Sequence, residues 1–404
     1  MKKFIGFKEA LEITLDNVSE GPTEILPLEQ LTGRILAENV VSRVDCPSVS
    51  SSRKDGYAVQ SSDLADASEK NPVSLDVVGT LTAGEAALVE INSGQAARIT
   101  TGAPLPHGAD AVLAEEFCRR SADNIIATNT ADSGRNVLVR GRDISRQEPV
   151  ADKGSRLTPA LIGLLAAAGH DAARVYSLPR VGVIATGDEV VVPGNPLPEG
   201  KLYASNMIEI CSWLSLLGLG YRADLVSDRK ENISTAISTA LSDVDFFITS
   251  GGAWGSEKDL IQEVVKDLGW QGLYHRVRMG PGKPVGFGIL QNKPFFFLPG
   301  GPASNEMAFL QLAIPALLKM SGGQRVLFPF ASARLSKSVR GKEGWTDFVH
   351  ARLENRDDQL WVHPAKLSST LQSMAQKDAL IIIPEDRDKL TAGENIAVQL
   401  LSLI

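Results

Sequence analysis

The ten residues 180–189, RVGVIATGDE, predict how this chain is organised. Their apolar part, residues 181–184, is typical of a short strand that is buried in a parallel sheet. The strand then ends in a polar turn, which is formed by Thr186, Gly187, Asp188 and Glu189. Because ligands of open α/β sheets bind beside the carboxyl ends of the strands, this turn is a candidate binding site.

Three later strand-like runs end in the same way. Residues 246–248, 277–279 and 295–298 each lead into a turn that is rich in glycine or proline. The turn residues that we expect to face a ligand are Ser250, Gly251 and Gly252 after the first run, Pro281, Gly282 and Lys283 after the second, and Pro299, Pro302 and Ser304 after the third. We expect all four strand ends to share one pocket.

Length and composition limit the class of protein. A chain of 404 residues exceeds what one core usually organises, so we expect two to four domains. The net charge of -7 argues against general binding of nucleic acid. Three cysteines without paired spacing fit a reducing cytosol, and no apolar run approaches the roughly 20 residues that span a membrane. We therefore expect a soluble, cytoplasmic protein.

Alternating strand and helix patterns from residue 180 to about residue 322 predict a doubly wound α/β domain. Short β-type runs predict a small inserted β domain over residues 48–139 and a second, barrel-like β domain after residue 329. Apolar residues at helical spacing predict an amphipathic helix at the N-terminus, over residues 7–18. Residues 25–44 fit either a short helix or extended chain.

The acidic residues carry the clearest chemical signal, because the five histidines show no spacing for metal ligands. Asp188 and Glu189 end one strand, Asp228 follows another, and Asp259 lies near a helix start. Carboxylates at strand ends, without His or Cys, favour a hard ion such as Mg²⁺. We select Glu189, Asp228 and Asp259 as its ligands. The alternative for each acid is a helix cap or a solvated turn.

Three further candidates, Asp55, Thr101 and Asp143, lie in polar turns, and each alone also fits ordinary turn chemistry. Lys283 lies between two prolines and is either an anion contact or an exposed turn lysine. The sequence contains no P-loop, no Rossmann fingerprint after the strand at residue 181, and no evident histidine partner for a serine nucleophile. These absences argue against several common classes of nucleotide-binding protein and hydrolase.

Taken together and in order, these motifs resemble the molybdopterin molybdenumtransferase family, to which the gephyrin E domain belongs. The resemblance rests on DGYA at 55–58, TGAPLPHGADAV at 101–112, GRDI at 141–144, ATGDEV at 185–190, SGG at 250–252, EKD at 257–259, PGKP at 281–284, LPGGP at 298–302 and SMA at 373–375. These stretches extend along nearly the whole chain. The chain is identified as a divergent member of this family.

The resemblance implies an elongated homodimer of four-domain subunits. Residues 1–25 and 175–326 would form a molybdopterin-binding α/β domain, 26–47 and 140–174 a linking domain, 48–139 the inserted β domain, and 327–404 a C-terminal β barrel. The active site would lie between the α/β domain of one subunit and the inserted domain of the other.

The resemblance also implies a reaction. Family members insert molybdenum from molybdate into adenylylated molybdopterin and release AMP, with Mg²⁺ present. The catalytic residues would be Asp55, Thr101, Asp143, Glu189 and Asp259, and the residues of the four polar turns would bind the adenylylated pterin. Further partners would be other proteins of molybdenum cofactor biosynthesis and apo-molybdoenzymes.

Some positions depart from the family pattern. The departures are Lys54 for Met, Gly280 for Lys or Arg, residues 253–256 for VSVG, Leu260 for Tyr, Gly301 for Asn, and Trp345 and His350 for Arg. Several of them remove cations from the region that would receive molybdate, and each lost charge-assisted hydrogen bond typically contributes about 1.5–3 kcal/mol. Two main hypotheses follow: an active transferase, or a non-catalytic molybdopterin-binding carrier or scaffold. A hydrolase that uses the same fold has no motif of its own.

Overall fold

The computed structural model describes residues 1–121, 123–251, 260–365 and 370–401. The chain divides into two compact units, one made of Met1–Glu24 with Tyr176–Ile404 and the other of Ile25–Val175. The finer four-domain boundaries that the resemblance implies stay a prediction. In the described part of the chain, no helix is long and apolar enough to cross a membrane.

The first unit starts with a strand that the sequence did not reveal. Strand β1 (Lys2–Gly6) precedes helix α1 (Phe7–Asp16), which is the predicted amphipathic helix. The strand pairs in parallel with residues 274–278, so its partner lies far away in the chain. Its sequence, KKFIG, is too short and too basic to show the alternation of a half-buried strand.

The unit Ile25–Val175 consists mainly of strands. Its elements are β2 (Thr23–Pro27), β3 (Val40–Val41), β4 (Ser51–Ser52), β5 (Gly56–Val59), β6 (Val73–Leu81), β7 (Gln95–Ile99), β8 (Ala111–Ala114), β9 (Cys118–Ser121), β10 (Asn124–Ala127), β11 (Val137–Leu138), β12 (Pro149–Ala151), α2 (Pro159–Ala167) and β13 (Ala172–Tyr176), with 3₁₀ turns at Leu28–Gln30, Ser61–Leu64 and Glu115–Phe117. Strands β8-β5-β7-β6-β10-β9 form one sheet in that order. The prediction that residues 48–139 form mainly short strands is confirmed. Residues 25–44, which the sequence left open, are mostly extended chain with one 3₁₀ turn.

Helix α2 illustrates how local sequence sets an element's limits. The hydroxyl of Thr158 accepts a hydrogen bond from the backbone N–H of Leu161 at 3.2 Å, and Pro159 occupies the first helical turn. Both are preferred helix-start residues. Gly169, at φ +84°, follows the last turn in a conformation that glycine adopts without strain. Short local signals thus determine where helix α2 begins and ends.

The α/β part of the first unit carries the sheet predicted from RVGVIATGDE. Its elements are β14 (Val181–Thr186), β15 (Val190–Val191), β16 (Leu202–Tyr203), α3 (Ser205–Leu216), β17 (Tyr221–Val226), α4 (Lys230–Ala240), β18 (Phe246–Ser250), α5 (Leu260–Asp267), β19 (Gln271–Gly280), β20 (Gly286–Leu290), β21 (Lys293–Leu298), α6 (Pro302–Ala308), a π-helical turn (Phe309–Ala313) and α7 (Ile314–Met320). The sheet order is β17-β14-β18-β21-β20-β19. The first four strands are parallel, and β20 is antiparallel to both of its neighbours.

Helices cover both faces of this sheet. On β14, Val181 and Val183 pack in one core together with residues of α3, α6 and α7. Ile184, which points to the other face, packs with residues of α4 and α5. The doubly wound prediction is confirmed. The helical stretch at the end of this part is not continuous, because the π-helical turn Phe309–Ala313 lies between α6 and α7.

The C-terminal part of the first unit forms a closed barrel, as predicted. Its elements are β22 (Phe330–Leu335), β23 (Val339–Arg340), β24 (Thr346–Arg356), β25 (Gln359–Pro364), α8 (Thr370–Ala375), β26 (Ala379–Ile383), β27 (Lys389–Leu390) and β28 (Asn395–Leu400). Strands pair in the order β24-β25-β22-β28-β26, and β26 pairs back with β24, which closes the ring. Closure leaves no open sheet edge in the barrel.

Candidate functional site

Neighbouring parallel strands bring three of the predicted turns together. The backbone N–H of Gly251, after β18, donates to the carbonyl of Leu298, at the end of β21, at 3.1 Å. The side-chain amide of Asn305 donates to the hydroxyl of Ser250 at 3.1 Å and to the carbonyl of Pro299 at 2.8 Å. These bonds fix the strand ends around a cavity of about 450 Å³.

The cavity has a floor of mixed polar and apolar residues and an apolar rim. The floor consists of Thr186, Glu189, Ser205, Asn206, Ser250, Gly251, Gly300 and Pro302 together with the apolar residues Ala185, Val190, Ala204 and Met207, and the rim consists of Leu197, Leu202, Tyr203 and Leu371. The four rim side chains are solvent-exposed although they are large and apolar. A cavity with a few polar groups in a largely apolar wall suits a ligand that has a flat ring and polar edges.

Five predicted residues line this cavity, and the others lie elsewhere. Thr186, Glu189, Ser250, Gly251 and Pro302 are part of its wall. Other predicted residues adjoin the wall without lining it, namely Gly187, Asp188, Asp228, Pro299 and Ser304. The two remaining candidates from this region, Gly252 and Asp259, lie outside the described residues.

Ser304 does not cap helix α6. Helix α6 starts at Pro302 after Gly301, and no side chain caps it. Ser304 instead lies inside the first turn, because Pro302 fixes the start of the helix two residues earlier. The carbonyl of Gly300 is held from another helix, since the side-chain amide of Asn206 donates to it at 2.8 Å.

Two glycines, one in the wall and one next to it, are required by the backbone. Gly251 has φ +106°, and an added Cβ would lie 2.8 Å from the carbonyl oxygen of Thr186. Gly187 has φ +139°, and an added Cβ would lie 2.7 Å from the carboxylate of Glu189. These glycines allow β14 and β18 to end close together and let Glu189 fold back over the turn.

We expect Gly251→Ala to lower the free energy of unfolding by about 1–3 kcal/mol, because the new methyl group meets backbone in a strained conformation. Gly300→Ala is the matched control, since an added Cβ at Gly300 has no neighbour within 4 Å. Urea unfolding of both variants measures the difference. Equal stability of the two variants would contradict the packing described for the cavity floor.

The acids at the mouth of the cavity influence one another. The backbone N–H of Asp228 donates to the carboxylate of Asp188 at 3.2 Å. Partial burial raises the pKa of Asp228, and the nearby charges of Asp188 and Glu189 raise it further. A divalent cation would relieve this repulsion, and carboxylate oxygens are the ligands that Mg²⁺ prefers. Asp188, Glu189 and Asp228 therefore concentrate negative charge next to the cavity.

A complete metal site is not seen in the described part of the chain, where no three His, Cys, Asp or Glu side chains are arranged to hold an ion. The predicted ligand Asp259 lies outside the described residues. Glu189 and Asp228 stay the predicted ligands from this side. The expectation that Mg²⁺ binds here therefore remains a prediction.

The fourth predicted turn does not join this cavity, so the expectation of one shared pocket was wrong. Strand β20 lies between β21 and β19 and separates the turn at Pro281 and Gly282 from the other three. Lys283 lines a second cavity of about 530 Å³. The chain folds back as an antiparallel hairpin there, which the sequence pattern of a parallel sheet did not indicate.

The second cavity is basic. Lys3, Lys266, Arg276 and Lys283 line it, and none of its lining residues in the described chain is acidic. The ammonium group of Lys283 lies 5.5 Å from the ring centre of Phe4 and 5.8 Å from that of Trp345. Such cation–π contacts orient the side chain without neutralising it.

Asp55, Thr101 and Asp143 belong to the unit Ile25–Val175. The Asp55 carboxylate accepts hydrogen bonds from the backbone N–H of Thr101 at 2.7 Å and from its hydroxyl at 3.0 Å. These two bonds lower the pKa of Asp55. Asp143 is exposed, and its backbone N–H donates to the carbonyl of Cys46 at 3.0 Å. Asp55 and Thr101 thus form one polar unit, and the catalytic role of all three stays a prediction.

Sequence reasoning missed Asn206, Tyr203 and Leu371 in the first cavity. Tyr203 reaches it because β16 pairs with β15 directly after the Asp188-Glu189 turn. Asn206 had a usable signal, since it is a polar residue in the first turn of a helix that follows a strand. Leu371 comes from α8, more than 180 residues after Glu189 along the chain, and no local pattern places it there.

The chain matches known sequences along its length. Residues 5–169 match the MoeA N-terminal region (domain I and II), 182–319 match a probable molybdopterin binding domain, and 332–401 match the MoeA C-terminal region (domain IV). The molybdopterin molybdenumtransferase of Haemophilus influenzae is 31% identical over 93% of each chain. The chain belongs to the MoeA family.

Further MoeA relatives agree in sequence and fold. The Bacillus subtilis molybdopterin molybdenumtransferase is 30% identical over 98% of this chain and 94% of its own. Two crystal structures of molybdopterin biosynthesis MoeA proteins from Pyrococcus horikoshii superpose with TM-scores of 0.88 and 0.82, at 33% and 28% identity, and cover at least 98% of this chain and 100% of theirs. The α/β sheet and the described walls of the first cavity, except Leu371, lie within the match to the probable molybdopterin binding domain.

Proposed function

We propose that this MoeA-family protein is a molybdopterin molybdenumtransferase, which inserts molybdenum from molybdate into molybdopterin during molybdenum cofactor biosynthesis. The observation that carries the proposal is the cavity at the ends of β14, β18 and β21. The polar groups of its floor would hold the polar groups of the pterin, and its apolar rim would cover the ring. Full-length relatives named as transferases support the enzyme and do not favour a non-catalytic carrier.

The reacting form would be adenylylated molybdopterin. Glu189 and Asp228, with Asp259, would hold Mg²⁺, which when bound would screen the negative charge of the pyrophosphate. Ser250 and the backbone of Gly251 would contact the ligand at the strand end, and Thr186 would fix the opposite side of the floor. The product would be released together with AMP.

The basic cavity would receive molybdate. Gly280 and Trp345 stand where family members usually carry cations, but Lys3, Lys266 and Arg276 collect positive charge beside Lys283 in this chain. Charge-assisted hydrogen bonds from such groups suit a tetrahedral dianion. The lost family cations are therefore offset by cations at other positions.

We expect Lys283→Met to weaken molybdate binding by about 10- to 100-fold, since one charge-assisted hydrogen bond contributes about 1.5–3 kcal/mol. Lys8→Met is the matched control, because Lys8 is exposed and does not line the basic cavity. Calorimetric titration with molybdate at constant ionic strength measures both. An equal loss in the two variants would refute the role given to Lys283.

The protein would act as a homodimer in the cytoplasm. Asp55, Thr101 and Asp143 of one subunit would complete the site of the other. Its further partners would be other cofactor-biosynthesis proteins and apo-molybdoenzymes. Mixed dimers of Asp143→Asn and Glu189→Gln subunits would test the shared site, because one of the two sites in each mixed dimer would keep both native side chains and should recover turnover that neither variant has alone.

The deciding experiment mixes the purified protein with adenylylated molybdopterin, Mg²⁺ and molybdate under anaerobic conditions. We expect AMP release and formation of the molybdenum cofactor, both dependent on molybdate. Binding of adenylylated molybdopterin without molybdate-dependent turnover would instead identify a carrier. Tungstate in place of molybdate would show which oxyanion is preferred.

A further inference from the structure

A buried glutamate, Glu306 of α6, joins the α/β sheet domain to the C-terminal barrel. Its side chain is fully buried. One carboxylate oxygen lies 3.1 Å from Nε2 of His350 on β24, and the other forms an ion pair with the ammonium group of Lys377. Only 8% of the Lys377 side chain is exposed, so this ion pair is shielded from solvent.

Lys377 also anchors helix α8. Its ammonium group donates a hydrogen bond of 2.8 Å to the carbonyl of Met374, in the last turn of that helix. A cation at the carboxyl end of a helix satisfies a free carbonyl and complements the helix dipole. Glu306 therefore holds α8 through Lys377.

A second carboxyl group, Glu209 of α3, completes the cluster. Burial raises the pKa of Glu209 to about 8, and the hydrogen bond and negative charge of Glu306 contribute to the rise. Burial alone would also raise the pKa of Glu306, but hydrogen bonds from His350 and Glu209, with the charge of Lys377, lower it instead. Glu209 is thus the carboxyl group of this pair whose neutral form is favoured, and Glu306 is the one whose charged form is favoured.

Glu209 and Glu306 lie one helical turn further along two of the helices that line the first cavity. Ser205 lines the cavity one helical turn before Glu209 on α3, and Pro302 lines it one turn before Glu306 on α6. Residues four apart share a helix face. The third wall residue, Leu371, belongs to α8, which Lys377 anchors. Helices α3, α6 and α8 thus each connect a residue of the buried cluster to a residue of the cavity wall.

We propose that Glu306 is a positioning residue for the cavity: through Lys377 and His350 it keeps α8, which supplies the wall residue Leu371, in place. We also propose that Glu209 controls this interaction, which is strong while Glu209 is protonated and weaker when Glu209 is ionised. The proposal rests on the proposed function, because the cavity is the one assigned to molybdopterin. When Glu209 loses its proton, two carboxylates face the one ammonium group of Lys377, with His350 beside them. The hold on α8 then weakens.

The direction of the pH effect follows from the cluster. The neutral form of Glu209 stabilises the fold, so its contribution is complete below the ordinary pKa of 4.5 and is lost as the pH rises through about 8. We therefore expect α8 to open more often, and molybdopterin to bind less tightly, as the pH rises from 6.5 to 9, a range set around that pKa.

Hydrogen exchange of residues 370–376 tests the proposal, with rates corrected for the intrinsic effect of pH. Glu209→Gln keeps a hydrogen-bond donor to Glu306 but cannot ionise, so the corrected exchange should lose its pH dependence. Glu306→Gln leaves Lys377 buried without its charge partner, so exchange should be at least about tenfold faster at every pH. Glu394→Gln is the matched control, because Glu394 pairs with Arg387 elsewhere in the barrel.

Two results would overturn the proposal: a wild-type pH profile in Glu209→Gln, or wild-type exchange in Glu306→Gln. If Glu306→Gln does not fold, the pH dependence of hydrogen exchange in Glu209→Gln decides whether the proposal stands. Molybdopterin affinity is measured in parallel. Failure of the wild-type protein to bind molybdopterin would refute the proposed function, whereas the exchange data would still decide whether Glu306 positions α8.

Discussion

Replacing Glu189 with glutamine should lower molybdate-dependent turnover by about 10²- to 10³-fold, the size of effect seen when one preorganised electrostatic group is lost. Glutamine has nearly the same shape but carries no charge. The side chain lines the cavity directly after β14, and its charge acts on Asp228. Its loss would remove one ligand of the proposed Mg²⁺ site and leave the fold unchanged, because Glu189 is exposed.

Glu199→Gln is the control for this prediction. Glu199 is an exposed acid ten residues later, outside the cavity wall, so its replacement should leave turnover unchanged. AMP release under saturating molybdate measures turnover, and circular dichroism checks the fold. Activity in Glu189→Gln within about twofold of wild type, far below the expected loss, would remove Glu189 from the site.

Replacing Phe296 with alanine should lower the free energy of unfolding by about 3–5 kcal/mol, the usual range for a fully buried aromatic residue. Phe296 has no exposed surface, and its ring centre lies 5.5 Å from that of Phe246 and 4.5 Å from that of Phe287. These rings belong to three strands of the α/β sheet, so the cavity created in the core would loosen the strand ends that form the binding site.

Phe330→Ala is the control, because the same residue type is 48% exposed on β22. We expect it to cost at most about 0.5 kcal/mol, as is usual for surface substitutions. Urea unfolding gives the midpoint and slope for each variant. A loss below about 1 kcal/mol in Phe296→Ala would contradict the packing described for the sheet core.

Much of the fold could be predicted from local patterns. Residues 181–186 read as a buried parallel strand because apolar residues run without interruption into a turn, and the structure places β14 there. Thr186, Glu189, Ser250 and Gly251 were found because parallel neighbours bring their carboxyl ends to one edge of the sheet. Both inferences use contacts that are determined by short stretches of chain.

What could not be predicted depends on long-range pairing. Strand β1 exists because it pairs with β19, and its own five residues give no sign of this. The turn with Lys283 was assigned to the wrong cavity because β20 enters the sheet in antiparallel orientation. The link between Glu306 and Lys377 joins residues 71 positions apart, and single acidic or basic residues in a helical pattern do not show such a pairing.

The most direct test of the account is a crystal structure of the protein with adenylylated molybdopterin, prepared under anaerobic conditions. We predict density for the pterin on the floor formed by Thr186, Ser250 and Gly251, with Tyr203 and Leu371 along its edge. A pterin bound anywhere else in the molecule, with this cavity empty, would contradict the proposed site.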